Sequence, residues 1–297
     1  MDIPHGNSRR VAAIGLALAA VYVVWGSTYL GIRIALEGFP PFLMAGVRSL
    51  VAGALLYGFL RLRGAPRPSA LQWRSAALVG GLLLLGGNGG VVWAEQTVSS
   101  GMAAVVVSTV TLWAALFAGI WGEWPHRVEW LGMLLGFTGV VLLNFGGNLK
   151  GSPAGAVALG IATVSWALGS MWSRKLALPG GMMAAAAEML AGGALLLVAS
   201  AVAGESAPPS PSFRAVLALL YLIVFGSLIG FTAYIYLLGA VRPAVATSYA
   251  YVNPVIALLL GMWLAGERVS AHEWLAMPIV LAGVALVALA RGRRASR

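Results

Sequence analysis

The sequence predicts an all-α integral membrane protein: ten transmembrane helices arranged as two inverted five-helix repeats around a central cavity, with both termini cytoplasmic. Three observations predict it. First, 60% of the 297 residues are hydrophobic and 9% are charged, with a mean hydropathy of +0.89. A soluble domain carries about 25% charged residues, so lipid has to be the solvent for so much apolar surface. Second, ten stretches reach the roughly 20 apolar residues that a bilayer crossing needs. Third, Gly122, Glu123, Glu129, Trp130, Leu131, Met133, Gly139, Val140 and Leu142 recur as Gly266, Glu267, Glu273, Trp274, Leu275, Met277, Gly283, Val284 and Leu286, at a constant spacing of 144 residues. A duplicated unit with an odd number of spans must enter the bilayer in two opposite orientations. That is the architecture of a carrier with its site between the halves. The repeats occupy residues 1–150 and 151–297.

In chain order the expected spans are 11–33, 42–61, 75–95, 101–121, 130–147, 153–173, 182–203, 213–238, 243–264 and 274–290. The first follows Arg9 and Arg10, as a signal peptide would, but it is too long and continues through Trp25 and Tyr29, so it reads as a retained span. The connections leave no room for a soluble domain. A net charge of +10 and a pI of about 10.7 would suggest nucleic acid for a soluble protein. Here basic loops that set orientation explain it. With the N-terminus in the cytoplasm, 14 of the 19 Lys and Arg residues fall inside and 5 outside, namely Arg33, Arg48, Lys150, Arg214 and Arg268. Arg33 and Arg48 either snorkel to the outer interface, pair with Glu37, or form a cationic rim on the outer vestibule.

Enzyme chemistry is excluded by what the spans lack. There is no cysteine, the three histidines (His5, His126, His272) lie outside the spans, and Asp2 is the sole aspartate. No HExxH, Ser–His pair or aspartate dyad can form in the bilayer, and no GxxxxGK[ST] loop is present. No cofactor or metal is expected. The expected partners are a small-molecule substrate, an amino acid or metabolite, and the lipid bilayer, and not nucleic acid.

VYVVWGSTYLGIRIA at 21–35, FLMAGVRSLVAGALL at 42–56, AEQTVSSGMAAVVVSTVTLWAALFAGIWGE at 94–123 and AVATSYAYVNPVIALLLGMWLAGE at 244–267 resemble the EamA family of the drug/metabolite transporter superfamily. Within it the chain is most similar to bacterial YedA/YddG-type exporters. The resemblance implies a ten-helix inner-membrane exporter of amino acids or metabolites with a central cavity. The chain departs from the family at one place: Asn253-Pro254 in the ninth span stands opposite Thr109-Val110 in the first half, where the family often has proline too.

Asn88 sits within Gly86-Gly87-Asn88-Gly89-Gly90, where four glycines weaken the helix by about 1 kcal/mol each. The segment either lines the cavity or packs closely on a neighbouring helix. Pro254 frees a backbone carbonyl at bilayer depth, tolerated only when it is satisfied locally or faces a cavity. Tyr249, Tyr251 and Asn253 beside it are therefore candidate substrate contacts, with Tyr234 of the preceding span. The alternative is a passive kink. Trp25, Trp113 and Trp166 fall near span centres and Trp93 lies deeper than an interface residue would, so each indole N–H needs a partner there. Trp25-Gly26-Ser27 in span 1 is echoed by Trp166, Gly169 and Ser170 in span 6, and both sets are expected at the cavity. Gly26, Gly87, Gly89, Gly169 and Pro254 are the candidate hinges. Glu188 and Glu95 are the candidate proton or amine sites. For Glu188 the alternative is an ion pair with Arg174 or Lys175, and for Glu95 an interfacial position. Glu123 and Glu267 read as helix-cap residues bonding nearby N–H groups, Arg127 or Arg268, and the Gly132/Gly136 and Gly226/Gly230 runs as packing faces. The expected mechanism is alternating access about a site lined by spans 1, 3, 4, 6, 8 and 9.

Overall fold

The computed structural model describes residues 5–98, 100–145, 152–206, 209–265 and 270–290. Gly266, Glu267, Arg268 and Lys150 lie outside the described residues. Within them the chain forms helical rods: α1 (His5–Leu36), α2 (Pro41–Leu62), α3 (Ala70–Ala94), α4 (Ser100–Ser108 and Val110–Ile120), α5 (Arg127–Leu143), α6 (Pro153–Ser173), α7 (Met182–Val202), α8 (Phe213–Ala240), α9 (Pro243–Ala246 and Tyr249–Ala265) and α10 (Ala271–Leu289). Among the described residues nine are long and apolar enough to cross a bilayer. The remaining one, α5, has 17 residues, or about 26 Å at 1.5 Å per residue, against a hydrocarbon core of about 30 Å. It begins at Arg127, three residues before the expected span.

Local chemistry sets the rod ends. Pro41, Pro153 and Pro243 occupy first turns, where the missing N–H costs nothing. Ser69, Ser152 and Ser212 each accept from a backbone N–H in the first turn. The repeated glutamates act as caps: the N–H of His126 donates to Glu129 Oε2 at 2.7 Å, and that of Ser270 to Glu273 Oε2 at 2.6 Å. Glu205 caps α2 from the loop after α7, accepting from the N–H groups of Phe42 and Leu43 at 3.1 and 2.8 Å.

Contacts between loops define two ends of the bundle. At one, Arg174 and Lys175 pair with Glu123 at 2.9 and 3.3 Å, and Arg242 pairs with the buried Glu129 at 2.9 Å. Those two cations hold the Glu123 carboxyl below the usual carboxylate range although partial burial opposes the shift. Arg10 borders the groove formed by the residues beside Arg174 and Gly239, so the start of α1 lies at this end. At the other, Glu205 meets α2 and Ser152 bonds Thr97. Rods α5 and α10 run antiparallel with backbones nearly touching: a Cβ on Gly132 would lie 2.7 Å from the Gly283 carbonyl oxygen, and one on Gly139 2.8 Å from the Val280 nitrogen. Small residues permit that approach where lipid supplies no hydrophobic drive.

Both α3 and α8 widen into π-helix, at Gly81–Gly89 and Leu222–Phe231. Such wide turns are rare and cluster at functional sites. Trp25 and Trp166 each pack against both large cores of the bundle, so they sit at the seam between them. Large apolar side chains such as Leu16 and Ile120 are 73% and 71% exposed, as a lipid-facing surface requires.

Candidate functional site

The seam encloses a cavity of about 90 Å³ walled by residues of α1, α2, α3, α4, α6, α7, α8 and α9. Spans 1, 3, 4, 6, 8 and 9 are all represented, and α2 and α7 join them through Arg48, Ser49 and Met189.

The wall holds an aromatic cluster. Trp25 meets Trp166 edge-on at 5.5 Å between ring centroids and Tyr249 at 4.7 Å, while Tyr234 lies 5.1 Å from Trp25 and 5.5 Å from Trp166. Offset and edge-on contacts suit the ring quadrupoles. Each indole N–H finds the partner that its depth demands. Trp25 Nε1 donates to the Gly226 carbonyl at 3.0 Å, and Trp166 Nε1 to the Tyr234 hydroxyl at 3.1 Å. Tyr234 is fully buried and also bonds Ser170 Oγ at 2.6 Å. Tyr234 and Ser170 thus support the cluster from behind and do not form the cavity wall.

Backbone groups released near the start of α9 are met by hydroxyls. Thr111 donates to the Thr247 carbonyl at 2.9 Å, Thr247 to that of Pro243 at 2.9 Å and Ser248 to that of Val245 at 2.7 Å. Asn253 lines the cavity. With its amide oriented to satisfy both groups, Nδ2 donates to the carbonyls of Tyr249 at 3.0 Å and Tyr22 at 3.2 Å, tying α9 to α1. The helix continues unbroken through Pro254; the interruption in the rod lies at Thr247-Ser248.

Of the residues expected at the cavity, Trp25, Asn88, Trp166, Tyr249, Asn253 and Gly87 line it. Four do not. Trp93 is 36% exposed and faces an outer groove beside Phe42, and Trp113 is 38% exposed and stacked on Phe117. Depth along a span does not fix which way a side chain points. Ser27 turns to α8, where its hydroxyl meets that of Tyr221 at 2.5 Å. Tyr251 is fully buried against Gly136 of α5. Among the hinge candidates, Gly26 admits Ile256, Gly89 admits Leu196 and Gly169 admits Leu82 and Leu83, all as close helix contacts. The Gly226/Gly230 run receives Trp25, so that pair serves the cavity and not only packing.

Arg174 and Lys175 pair with Glu123, leaving Glu188 fully buried with both carboxylate oxygens lacking a hydrogen-bond partner among the described residues. Glu95 is half-buried in a pocket with Arg33, Glu37 and Tyr29. Tyr29 also lines the central cavity, so the two spaces meet at its ring. Arg48, expected near an interface, is 6% exposed and in the cavity wall. Residues missed from the sequence include Tyr29, Ser49, Thr163 and Ser227. Only the adjacency of Arg48 and Ser49 within an apolar run signalled any of them.

Comparison with known proteins follows the same outline. The EamA-like transporter family model matches residues 12–145 and again 153–289. The inner membrane transporter YedA of Escherichia coli (strain K12) is 51% identical over 276 residues, covering 93% of this chain and 90% of that protein. The transporter YdfC of Bacillus subtilis (strain 168) is 25% identical over 278 residues, covering 93% and 91%. A solved crystal structure aligns with a TM-score of 0.77 at 23% identity, covering 94% of this chain and 99% of the other, which shows a shared fold. The chain belongs to the EamA-like transporter family.

Proposed function

We propose that this chain is a secondary transporter that exports small organic solutes, chiefly amino acids with apolar or aromatic side chains and related metabolites, across a bacterial inner membrane by alternating access. The observation that carries the reading is the aromatic cluster of Trp25, Trp166 and Tyr249 with Asn88 and Asn253 in one cavity wall. Flat apolar faces beside a few amide groups suit a neutral or zwitterionic solute with an apolar part. Two inverted units, 1–150 and 151–297, are supported by the two successive family matches and by the wide-turn segments of α3 and α8. The inner-membrane placement follows the name of the Escherichia coli relative. Cytoplasmic termini accord with the basic residues Arg10, Arg174, Lys175 and Arg242 at the end where α1 starts. Glu188 is the proposed proton carrier: its backbone carbonyl packs against Gly80 where α7 meets α3, and its carboxylate oxygens lack a hydrogen-bond partner among the described residues, so a shift of α3 would change its surroundings.

Counterflow into proteoliposomes with radiolabelled amino acids, with and without a pH gradient, tests the reading. Saturable exchange of at least one apolar amino acid is expected. No saturable movement across the panel overturns the carrier assignment, and movement without saturation or counterflow identifies a channel.

A further inference from the structure

Arg48 is the only charged side chain among the described residues lining the central cavity. It lies on the buried face of α2, 6% exposed, with Nε donating to Ser227 Oγ at 3.1 Å. Its Nη1 has no hydrogen-bond partner among the described residues. A guanidinium is a planar fork with five donors, so this side chain reaches the cavity with donor capacity unused. Leaving a buried charged donor unmatched is costly, and a carboxylate is the group whose two oxygens fit that fork.

Two carboxylates, Glu95 and Glu37, share the neighbouring pocket beyond Tyr29 with Arg33. Glu95 is within electrostatic reach of both Arg33 and Arg48, and Arg33 is the stronger influence. Among the described residues neither of these carboxylates lines the central cavity, where Arg48 stands. Ser49 lines the same space and its hydroxyl also lacks a hydrogen-bond partner among the described residues. Asn88 adds an acceptor, for its Oδ1 is buried there without a partner among the described residues.

The geometry points to Arg48, with Ser49, as an anion subsite that takes the carboxylate of the transported solute, while Asn88 Oδ1 accepts from a donor beside that carboxylate and the Trp25–Trp166–Tyr249 cluster takes the apolar remainder. This assignment rests on the carrier reading and narrows it. The solute class is the small organic monocarboxylate, amino acids included. Apolar amines lacking a carboxylate, a large group among toxic organic cations, are excluded.

The test compares phenylalanine, 3-phenylpropionate and phenethylamine on the full chain in proteoliposomes, as counterflow substrates and as competitors, in wild type, R48K and R48Q. Both carboxylates are expected to exchange saturably, and phenethylamine to compete at least about tenfold more weakly. R48Q should lose at least about tenfold in carboxylate affinity, and R48K, which keeps the charge but not the fork, should lose less. Equal competition by phenethylamine and 3-phenylpropionate, or unchanged carboxylate affinity in R48Q, overturns the subsite while leaving the carrier intact. If R48Q does not accumulate, the wild-type comparison and R48K decide, and wild-type affinity in R48K then overturns the assignment. If neither these compounds nor any of the amino-acid panel moves saturably, the carrier reading itself falls and this assignment with it.

Discussion

Trp166 lies across Gly87 so closely that a Cβ on that glycine would stand 2.7 Å from Cε3 of the indole. The reciprocal contact is made by Trp25 against Gly230. Each central tryptophan therefore rests on a glycine in the wide-turn segment of a rod from the other half of the chain. Gly87→Ala and Gly230→Ala must displace the ring or the rod. Overpacking of this kind costs about 1–3 kcal/mol. Because the ring belongs to the cavity wall, counterflow is expected to fall by about tenfold or more. Gly160→Ala is the control, since nothing lies within 4 Å of its added Cβ, and its counterflow should match wild type. Wild-type rates in both Gly87→Ala and Gly230→Ala would remove the tryptophan–glycine contacts from function.

Tyr234 sets the orientation of Trp166 without facing the cavity. Tyr234→Phe keeps the ring and its packing but leaves the Trp166 N–H and the Ser170 hydroxyl without that partner. An unmatched buried donor costs about 1–3 kcal/mol. Thermal stability should drop, and the tryptophan fluorescence should change as the indole environment does. Trp166→Ala and Asn253→Ala should lower transport while the protein still accumulates. Full activity in both would take the two residues out of the site.

The all-helical membrane class was legible because lipid solvation leaves a compositional imprint that needs no fine reading. The span expected at 153–173 coincides with α6, whose proline start and Arg174 end are local signals. Rotation about each rod was not legible, since nearly every face is apolar. Trp113 and Trp166 occupy similar depths in the sequence, yet one is 38% exposed and the other lines the cavity. Arg48 was misplaced for a related reason. A cation seven residues into a helix can snorkel or turn inward, and only the position of α8, which brings Ser227 to it, decides between them. The wide turns were half visible: glycine richness marked the bend in α3, whereas Leu222–Phe231 carries only Gly226 and Gly230 in an otherwise bulky run.

Glu188 makes a separable prediction. Its carboxylate oxygens have no hydrogen-bond partner among the described residues, and Gly80 of α3 lies so near that a Cβ there would meet the Glu188 backbone carbonyl oxygen at 2.5 Å. Replacing the acid by its neutral isostere in Glu188→Gln removes a titrating group and keeps the shape. Counterflow, which needs no net proton movement, should persist, while uptake driven by a pH gradient should be lost. Unaltered gradient-driven uptake in Glu188→Gln would leave the proton to another group.

The last prediction concerns the end of the bundle where Glu123 meets Arg174 and Lys175. The folded carboxyl titrates below its ordinary value, because the two cations outweigh the opposing effect of partial burial. As pH falls, the unfolded chain takes up a proton at this group before the folded one does. The latch therefore contributes stability above the unfolded carboxylate pKa of about 4.3, and that contribution disappears as pH drops through the lower folded value. Glu123 is 36% exposed, so solvent screening keeps the effect small. Thermal unfolding in detergent should show wild type and Glu123→Gln converging as pH is lowered below about 4, with wild type the more stable above about 5. A constant difference between the two proteins across that window would show that the ion pairs do not hold this end of the bundle together.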